Sequence, residues 1–442
     1  MAFSLKFTKP GYLGLPFWPL VLVSFALAMY YWLSTAPELL SAVLLWIFIF
    51  SPFFLPPLLL AMLWKEWRGY IRAKYISEQT PILLEFKIPQ HIFKTPSAME
   101  QVFAGMHVGP GESTFIARWI TGKVRPWWSF EIVSIEGEVH LYAWTWKQFR
   151  SLVETQFYSQ YPDLEIHEVE NYTDGIHFEK GKNVVFGAEF LLSKDDAYPI
   201  RTYIDLELDR DSKKPEQIVD PISSVFEKLS ALGDGEQMWF QIFIRQNKGA
   251  TTRDVFWFGK AKTWQKEAED EIDKIYEEAK PKKKASVDEE DDGYPQLKPA
   301  QINQIKALER SIDKPGFDAG IRGIYIAREG TFDGTRIAPF LSMWNSFNTG
   351  TLNKFTPGGP WHTSTDYPWE DFGGRTSDRH SMEAVDAYRR RSFFHGPYER
   401  PRYVLTSEEL ATIFHFPSEE VKAPGVKRLS STKSEPPTNL PI

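Results

Sequence analysis

Two apolar stretches without lysine, arginine, aspartate or glutamate inside their spanning parts, residues 10–37 and 39–64, constrain this chain most, because each is long enough to cross a bilayer. In the second, sixteen positions are Leu, Ile, Val or Phe. At about 0.3–0.6 kcal/mol each, these favour insertion by roughly 5–10 kcal/mol. The first span, centred on residues 17–33, is poorer in aliphatics. It places Trp18, Tyr30, Tyr31 and Trp32 where aromatic rings meet headgroups. An alternative reading of it is a cleaved signal peptide, with Lys6 and Lys9 as the charged start and Ala26-Leu27-Ala28 as the small-residue site. Pro52, Pro56 and Pro57 are expected to kink or split the second span, since each lacks a backbone donor and clashes one turn back.

The cations set the orientation. Lys6 and Lys9 precede the first span, Lys65, Arg68, Arg72 and Lys74 follow the second, and the connection between the spans carries none. The positive-inside tendency then gives a multi-pass protein of the inner, cytoplasmic membrane, with both termini and the soluble body in the cytoplasm. Trp64, Trp67 and Tyr70 interleave with those cations, as in a segment lying against anionic headgroups of the lipid bilayer.

Behind this tether the composition is that of a folded body, with 15% aromatic residues and 16 Trp to fill cores. A net charge of −7 argues against generic nucleic-acid binding by the whole body. The absence of cysteine excludes disulfides, thiol catalysis and cysteine-bound metal centres, and it suits a reducing compartment.

The order of elements predicts an α+β fold: a two-helix transmembrane hairpin (residues 1–76), then tandem ferredoxin-like (split βαβ) modules at 77–178 and 179–416. In the first, Leu84, Phe86 and Ile88 alternate as a strand, and Pro96 follows Thr95 into a helix with Met99, Val102, Phe103 and Met106 on one face. A Gly-rich loop over 107–126 leads to a hairpin turning at Glu136-Gly137, a second helix with Phe149, Leu152, Val153 and Phe157 inward, and a last strand over 164–169. Strand, helix, strand, strand, helix, strand is the split βαβ order. The second module repeats it more loosely. Asp220-Pro221 opens a helix carrying Ile222, Val225, Phe226 and Leu229, buried strands are expected at 238–245 and 321–327, and a further helix follows Asp333.

A helical insertion at 258–314 interrupts that module, readable as a projecting coiled arm or as a hairpin packed on its own domain. Its connection, 281–297, separates basic from acidic blocks, has almost nothing to bury and is expected to be disordered. Residues 354–380 show little periodicity and are expected to be loop. Thr406 and Glu409 form a capping box for a helix with Leu410, Ile413 and Phe414, and 417–442 reads as an extended tail.

No motif supports catalysis, and no catalytic, cofactor-binding or metal-binding residue is assigned. The three Gly-Lys pairs, at Gly122, Gly181 and Gly259, lack the Ser or Thr that completes a phosphate loop. The nine histidines show no metal-ligand spacing. His362 with Asp366 and Asp371, in a Trp-rich loop, is the one constellation that suits an alternative reading: a self-sufficient membrane enzyme acting on lipid or cell-envelope precursors.

Two blocks carry a resemblance. TPSAMEQVF at 95–103, continued through Phe130-Glu131-Ile132-Val133 and Gln160-Tyr161-Pro162, resembles the membrane-proximal region of type IV secretion or conjugation-type ATPases of small-genome bacteria. YVLTSEELATIFHFP at 403–417, followed by Pro436-Pro437-Thr438-Asn439-Leu440-Pro441, is similar to the strip ahead of their motor domain. The family's nucleotide-binding loop follows that strip, and no position through Ile442 matches it. The resemblance therefore implies a non-catalytic scaffold of a type IV secretion-like, DNA-translocating system that docks a motor ATPase supplied in trans.

On this reading Leu410, Ile413, Phe414 and Phe416 are the candidate docking residues. Sheet edges and helix faces offer further contacts, homo-oligomer contacts included. Arg389, Arg390, Arg391, Arg400 and Arg402 are the candidate nucleic-acid contact, with binding expected to weaken steeply with salt.

Overall fold

The computed structural model describes residues 17–34, 37–89, 94–109, 112, 114–209, 220–249, 263–280, 296–361, 371–417 and 425. Helix α1 (Phe17–Ser34) is followed by α2 (Pro37–Ser77), whose 41 residues continue unbroken past Pro52, Pro56 and Pro57, so the expected split does not occur. Residues 44–65 of α2 are solvent-facing apolar surface apart from Lys65 and the half-buried Ser51. Among the described residues this is the one helix long and apolar enough to cross a membrane; the apolar part of α1, Val21–Tyr31, is shorter. Past Lys65, α2 does not turn to lie along a surface. It climbs into the body, where Ile71 is buried and Tyr75 meets the edge of Trp146.

The body is built on one antiparallel sheet. Its strands are β1 (Pro81–Lys87), β2 (Trp128–Ile135), β3 (Glu138–Trp146), β4 (Glu165–Val169), β5 (Asn183–Leu192), β6 (Glu236–Gln246), β7 (Gly316–Arg328), β8 (Phe355–Gly358) and β9 (Tyr403–Thr406). The order across the sheet is β4-β1-β3-β2-β6-β7-β5-β8, with β9 pairing one end of β7. The β2–β3 hairpin turns at Glu136 and Gly137, both with positive φ, as a tight two-residue turn requires. A side chain at position 137 would also run into the Leu232 carbonyl oxygen, 2.9 Å from where its Cβ would stand.

Helices α3 (Pro96–Gly105), α5 (Arg150–Gln160), α6 (Pro221–Ser230), α9 (Ile337–Leu341) and α11 (Ser407–Ile413) cover one face. That core, which includes Phe103, Phe130, Phe157, Phe226, Phe240, Phe340 and Phe414, runs without interruption through both predicted modules. The strand pair β2–β6 joins the two halves into a single sheet. The other face is covered by α10 (Arg375–Arg389), the segment after it and the end of α2, over Trp127, Trp144, Trp146, Trp239 and Phe243.

Two local expectations are corrected, and one left open is decided. Part of residues 354–380 is ordered secondary structure: β8 pairs with β5, and α10, a helix ending at the arginine run, begins already at Arg375 and packs on β5, its Ala384 Cβ lying 3.1 Å from where a Cβ at Gly187 would stand. The first turns of α10, residues 375–380, carry no apolar residue, and its buried face, Ser381, Ala384, Val385, Ala387 and Tyr388, begins only beyond them, which explains why this region reads as loop. A five-residue helix, α4 (Phe115–Trp119), stands inside the 107–126 loop. The insertion is a packed hairpin: α7 (Trp264–Ala279) and α8 (Pro299–Ile312) bury Ala268, Ile275, Ile305 and Leu308 against Ala197, and the Tyr198 hydroxyl donates to Glu271 at 2.6 Å. Of the linker, only 296 and 297 fall within the described residues. Of the tail, only Pro417 and Gly425 do, and the carbonyl of Gly425 accepts from the Val139 amide at 2.8 Å.

Candidate functional site

A row of polar side chains crosses the second face of the sheet, one per strand and each directly opposite the next. Glu85 on β1 faces Tyr142 on β3, which faces Glu131 on β2, then Gln241 on β6, Arg322 on β7 and Glu189 on β5. These strands are buried on both faces, so the charges stand in a dry interior where each needs a partner.

Glu131 accepts from Ser129 (2.8 Å), Gln241 (3.0 Å), Tyr172 (2.7 Å) and both arms of Arg391 (3.0 and 3.1 Å). Burial alone would favour a neutral Arg391, but the adjacent Glu131 carboxylate outweighs it and raises the guanidinium pKa. Burial, reinforced by Glu131, pushes the Tyr172 and Tyr388 hydroxyls well above their ordinary range.

Arg322 donates to the carbonyls of Ala387 and Ser392, both at 3.0 Å, and lies 5.0 Å from the Trp361 ring centre. Burial lowers its pKa to about 10. Arg400 reaches Glu189 at 2.9 Å and also stacks over Trp361. The row therefore clamps α10 and the segment that follows it onto the sheet.

A second cluster lies where α2 enters the body. Asp318 receives Arg245 (2.9 Å), Arg402 (3.2 Å) and Arg125 (3.3 Å), together with Asn247 (2.7 Å). Burial, then the neighbouring Arg125, brings Arg245 down to about 10. His395 is enclosed beside Trp127 and is held well below the ordinary imidazole value by burial, then by Arg245, Arg72, Arg125 and Arg402. The Asp318 carboxylate holds these arginines together at the end of the sheet that α2 enters.

Against this geometry the candidate residues sort clearly. Leu410, Ile413, Phe414 and Phe416 are all buried, so they are not a free docking surface. Helix α11 packs on α3, with Phe414 against Phe103 and Phe130, and Phe416 against Phe86 and Tyr161. The arginine run is not a basic strip either. Arg391 is in the core, Arg400 and Arg402 neutralise Glu189 and Asp318, Arg390 pairs with Asp386 at 2.8 Å, and Arg389 donates to His177 at 3.0 Å.

Asp371 caps α10, accepting from the amides of Thr376 and Ser377; the first of these hydrogen bonds is the main reason its pKa is lowered. His362 and Asp366 lie outside the described residues, as do the side chains of Trp18 and Trp32. Around the exit of α2, Trp64 stacks on Trp119 at 5.3 Å, Arg68 lies over the same ring, and the Trp67 indole donates to the Trp119 carbonyl at 3.2 Å. Lys65 and Lys74 are exposed. Arg72 faces the His395 cluster.

Sequence reasoning missed the polar row, although a signal was present. In WSFEIVSI, EQMWFQIFIRQ and GFDAGIRGIYIAR, Glu131, Gln241 and Arg322 interrupt runs that are apolar on both alternating faces. Such a residue has no solvent side to point to.

These features define an α+β protein in which a large antiparallel sheet, clamped by buried ion pairs, stands on one long apolar helix. The chain belongs to the family described as a domain of unknown function (DUF8128), whose profile matches residues 89–428. Comparison with curated proteins returns no match.

Proposed function

We propose that this protein is a membrane-anchored, non-catalytic platform. The observation that carries the reading is the continuity of α2: one helix serves as the apolar segment and, without an intervening loop, as a packed element of the body. An anchor joined this way fixes the sheet's position above the bilayer, which a flexible tether would not. Helix α1 completes a two-helix hairpin, putting both ends of the chain and the body on the cytoplasmic side of the inner membrane.

Each half of the sheet, β4-β1-β3-β2 and β8-β5-β7-β6, follows the split βαβ order, which supports tandem ferredoxin-like modules fused through β2 and β6. The partner class, a motor ATPase acting in trans in a type IV secretion-like system, comes from the resemblance at 95–103 and 403–417. The outer strands and the insertion hairpin, rather than α11, are the surfaces left to meet it.

Two measurements test this. The full chain should resist extraction from membranes by alkaline carbonate and require detergent; release into the aqueous phase would overturn the anchor. Crosslinking in native membranes, with captured proteins identified by mass spectrometry, should recover a phosphate-loop ATPase. Capture lacking any nucleotide-hydrolysing subunit would overturn the partner assignment.

A further inference from the structure

We propose that α4 is a second membrane contact, a short apolar wedge seated in the headgroup layer beside the exit of α2. This inference rests on the anchoring role of α2 and adds a lipid-facing surface in the body itself. Phe115, Ile116 and Ile120 are 66%, 60% and 57% exposed, large apolar side chains grouped on one small helix and its C-terminal cap rather than scattered. With Trp119 they span an arc of about 140° around the helix axis.

The level of this patch is fixed by its attachment to α2. Trp119 is stacked on Trp64, the last residue of the apolar run before Lys65 and the one that would stand at the membrane–water boundary. Arg68 and Trp67 hold the same residue from one turn further along. Gly122 then brings the loop into backbone contact with α2: its φ is +67°, and a Cβ there would lie 2.3 Å from the Ile71 carbonyl oxygen. The Thr114 hydroxyl accepts from the Ala117 amide and closes the start of the helix.

The loop is therefore pinned to the anchor before any membrane is considered, and what it presents at that height is apolar. Arg118 and Lys123 are exposed beside it, as expected for a segment facing anionic headgroups. A bilayer surface, rather than a protein partner, is the occupant this placement selects.

The absence of cysteine allows a clean test. The full chain carrying Ile116→Cys, Ile120→Cys, Leu55→Cys or Met382→Cys is labelled with an environment-sensitive fluorophore and reconstituted into phosphatidylcholine–phosphatidylglycerol vesicles. Labels at 116 and 120 should lose emission to lipids spin-labelled near the headgroup and resist aqueous iodide. The label at 55 should be quenched by lipids spin-labelled deep in the chain, and the label at 382, on α10, by iodide alone. Quenching at 55 with free iodide access at both 116 and 120 would overturn the wedge and leave the anchor standing. No lipid quenching at 55 would overturn the anchor, and the wedge with it.

Discussion

Glu131 shows how a charge can be kept inside this sheet. Its two oxygens are filled by Ser129, Gln241, Tyr172 and the paired arms of Arg391, and Arg391 itself adopts a φ of +47°, a backbone conformation that non-glycine residues rarely hold. Removing one partner strands the other in a dry interior, so Arg391→Met or Glu131→Gln should destabilise the protein by about 3–5 kcal/mol in denaturant unfolding of the detergent-solubilised chain. The double variant should lose less than the sum of the two, because each single change already breaks the same interaction.

His395 gives a residue-scale pH dependence. Its folded pKa lies well below 6.5, through burial first and the arginines around it second, so below that pH the unfolded chain takes up a proton that the folded chain refuses. The His395 contribution should be constant above pH 6.5, and it should lower stability progressively as the pH drops below that value. His395→Gln should flatten that acid-side slope in thermal unfolding measured as a function of pH.

Helix α11 behaves as part of the core despite its position late in the chain. The Glu409 carboxylate accepts from the amides of Ile200 and Thr406, and His415 pairs with Asp220 at 2.9 Å, so both ends of the helix are tied down by buried titratable groups. Burial pushes Glu409 up to about 7. Burial opposes the charged form of His415, but Asp220 wins and raises its pKa. Both folded values therefore lie above the unfolded ones, and the stability they contribute is present at low pH. It is lost for Glu409 as pH rises from 4.5 through about 7, and for His415 as pH rises above 6.5 through its folded value. Thermal stability should thus decline from pH 6 to 8, and Asp220→Asn should remove the histidine part of that decline. Phe414→Ala should cost about 3–5 kcal/mol by deleting a ring from a filled core, read by the same unfolding assay. The capping box Thr406–Glu409 was legible in the sequence because it is local, and so were the strands whose apolar residues alternate. Where the helix packs was not legible. A free amphipathic helix and one clasped by α3 have the same sequence pattern; β9 pairs with β7 of the second half, and α11, directly after it, packs on α3 of the first.

At the scale of the whole molecule the same limit applies to the joint between the two halves of the sheet. Two split βαβ orders can be read from element succession, but nothing in either marks β2 and β6 as neighbours, since edge and interior strands are equally apolar when both faces of the sheet are covered. The long apolar helix, by contrast, depends on composition alone and is the most legible feature of the chain. Its energetics can be set against a defined perturbation. Ile49, Phe53 and Leu55 are exposed on α2 and belong to none of the hydrophobic cores of the body, so arginine at all three leaves the sheet's packing intact. Near a bilayer's centre each arginine costs roughly 2.5–3.5 kcal/mol, and three together match the roughly 5–10 kcal/mol by which the apolar side chains favour insertion. The triple variant Ile49→Arg, Phe53→Arg, Leu55→Arg should therefore move from the carbonate-resistant membrane fraction to the soluble fraction while keeping the near-ultraviolet circular dichroism of its buried tryptophans. Retention in the membrane would mean that α1 and α4, not α2, hold the protein there.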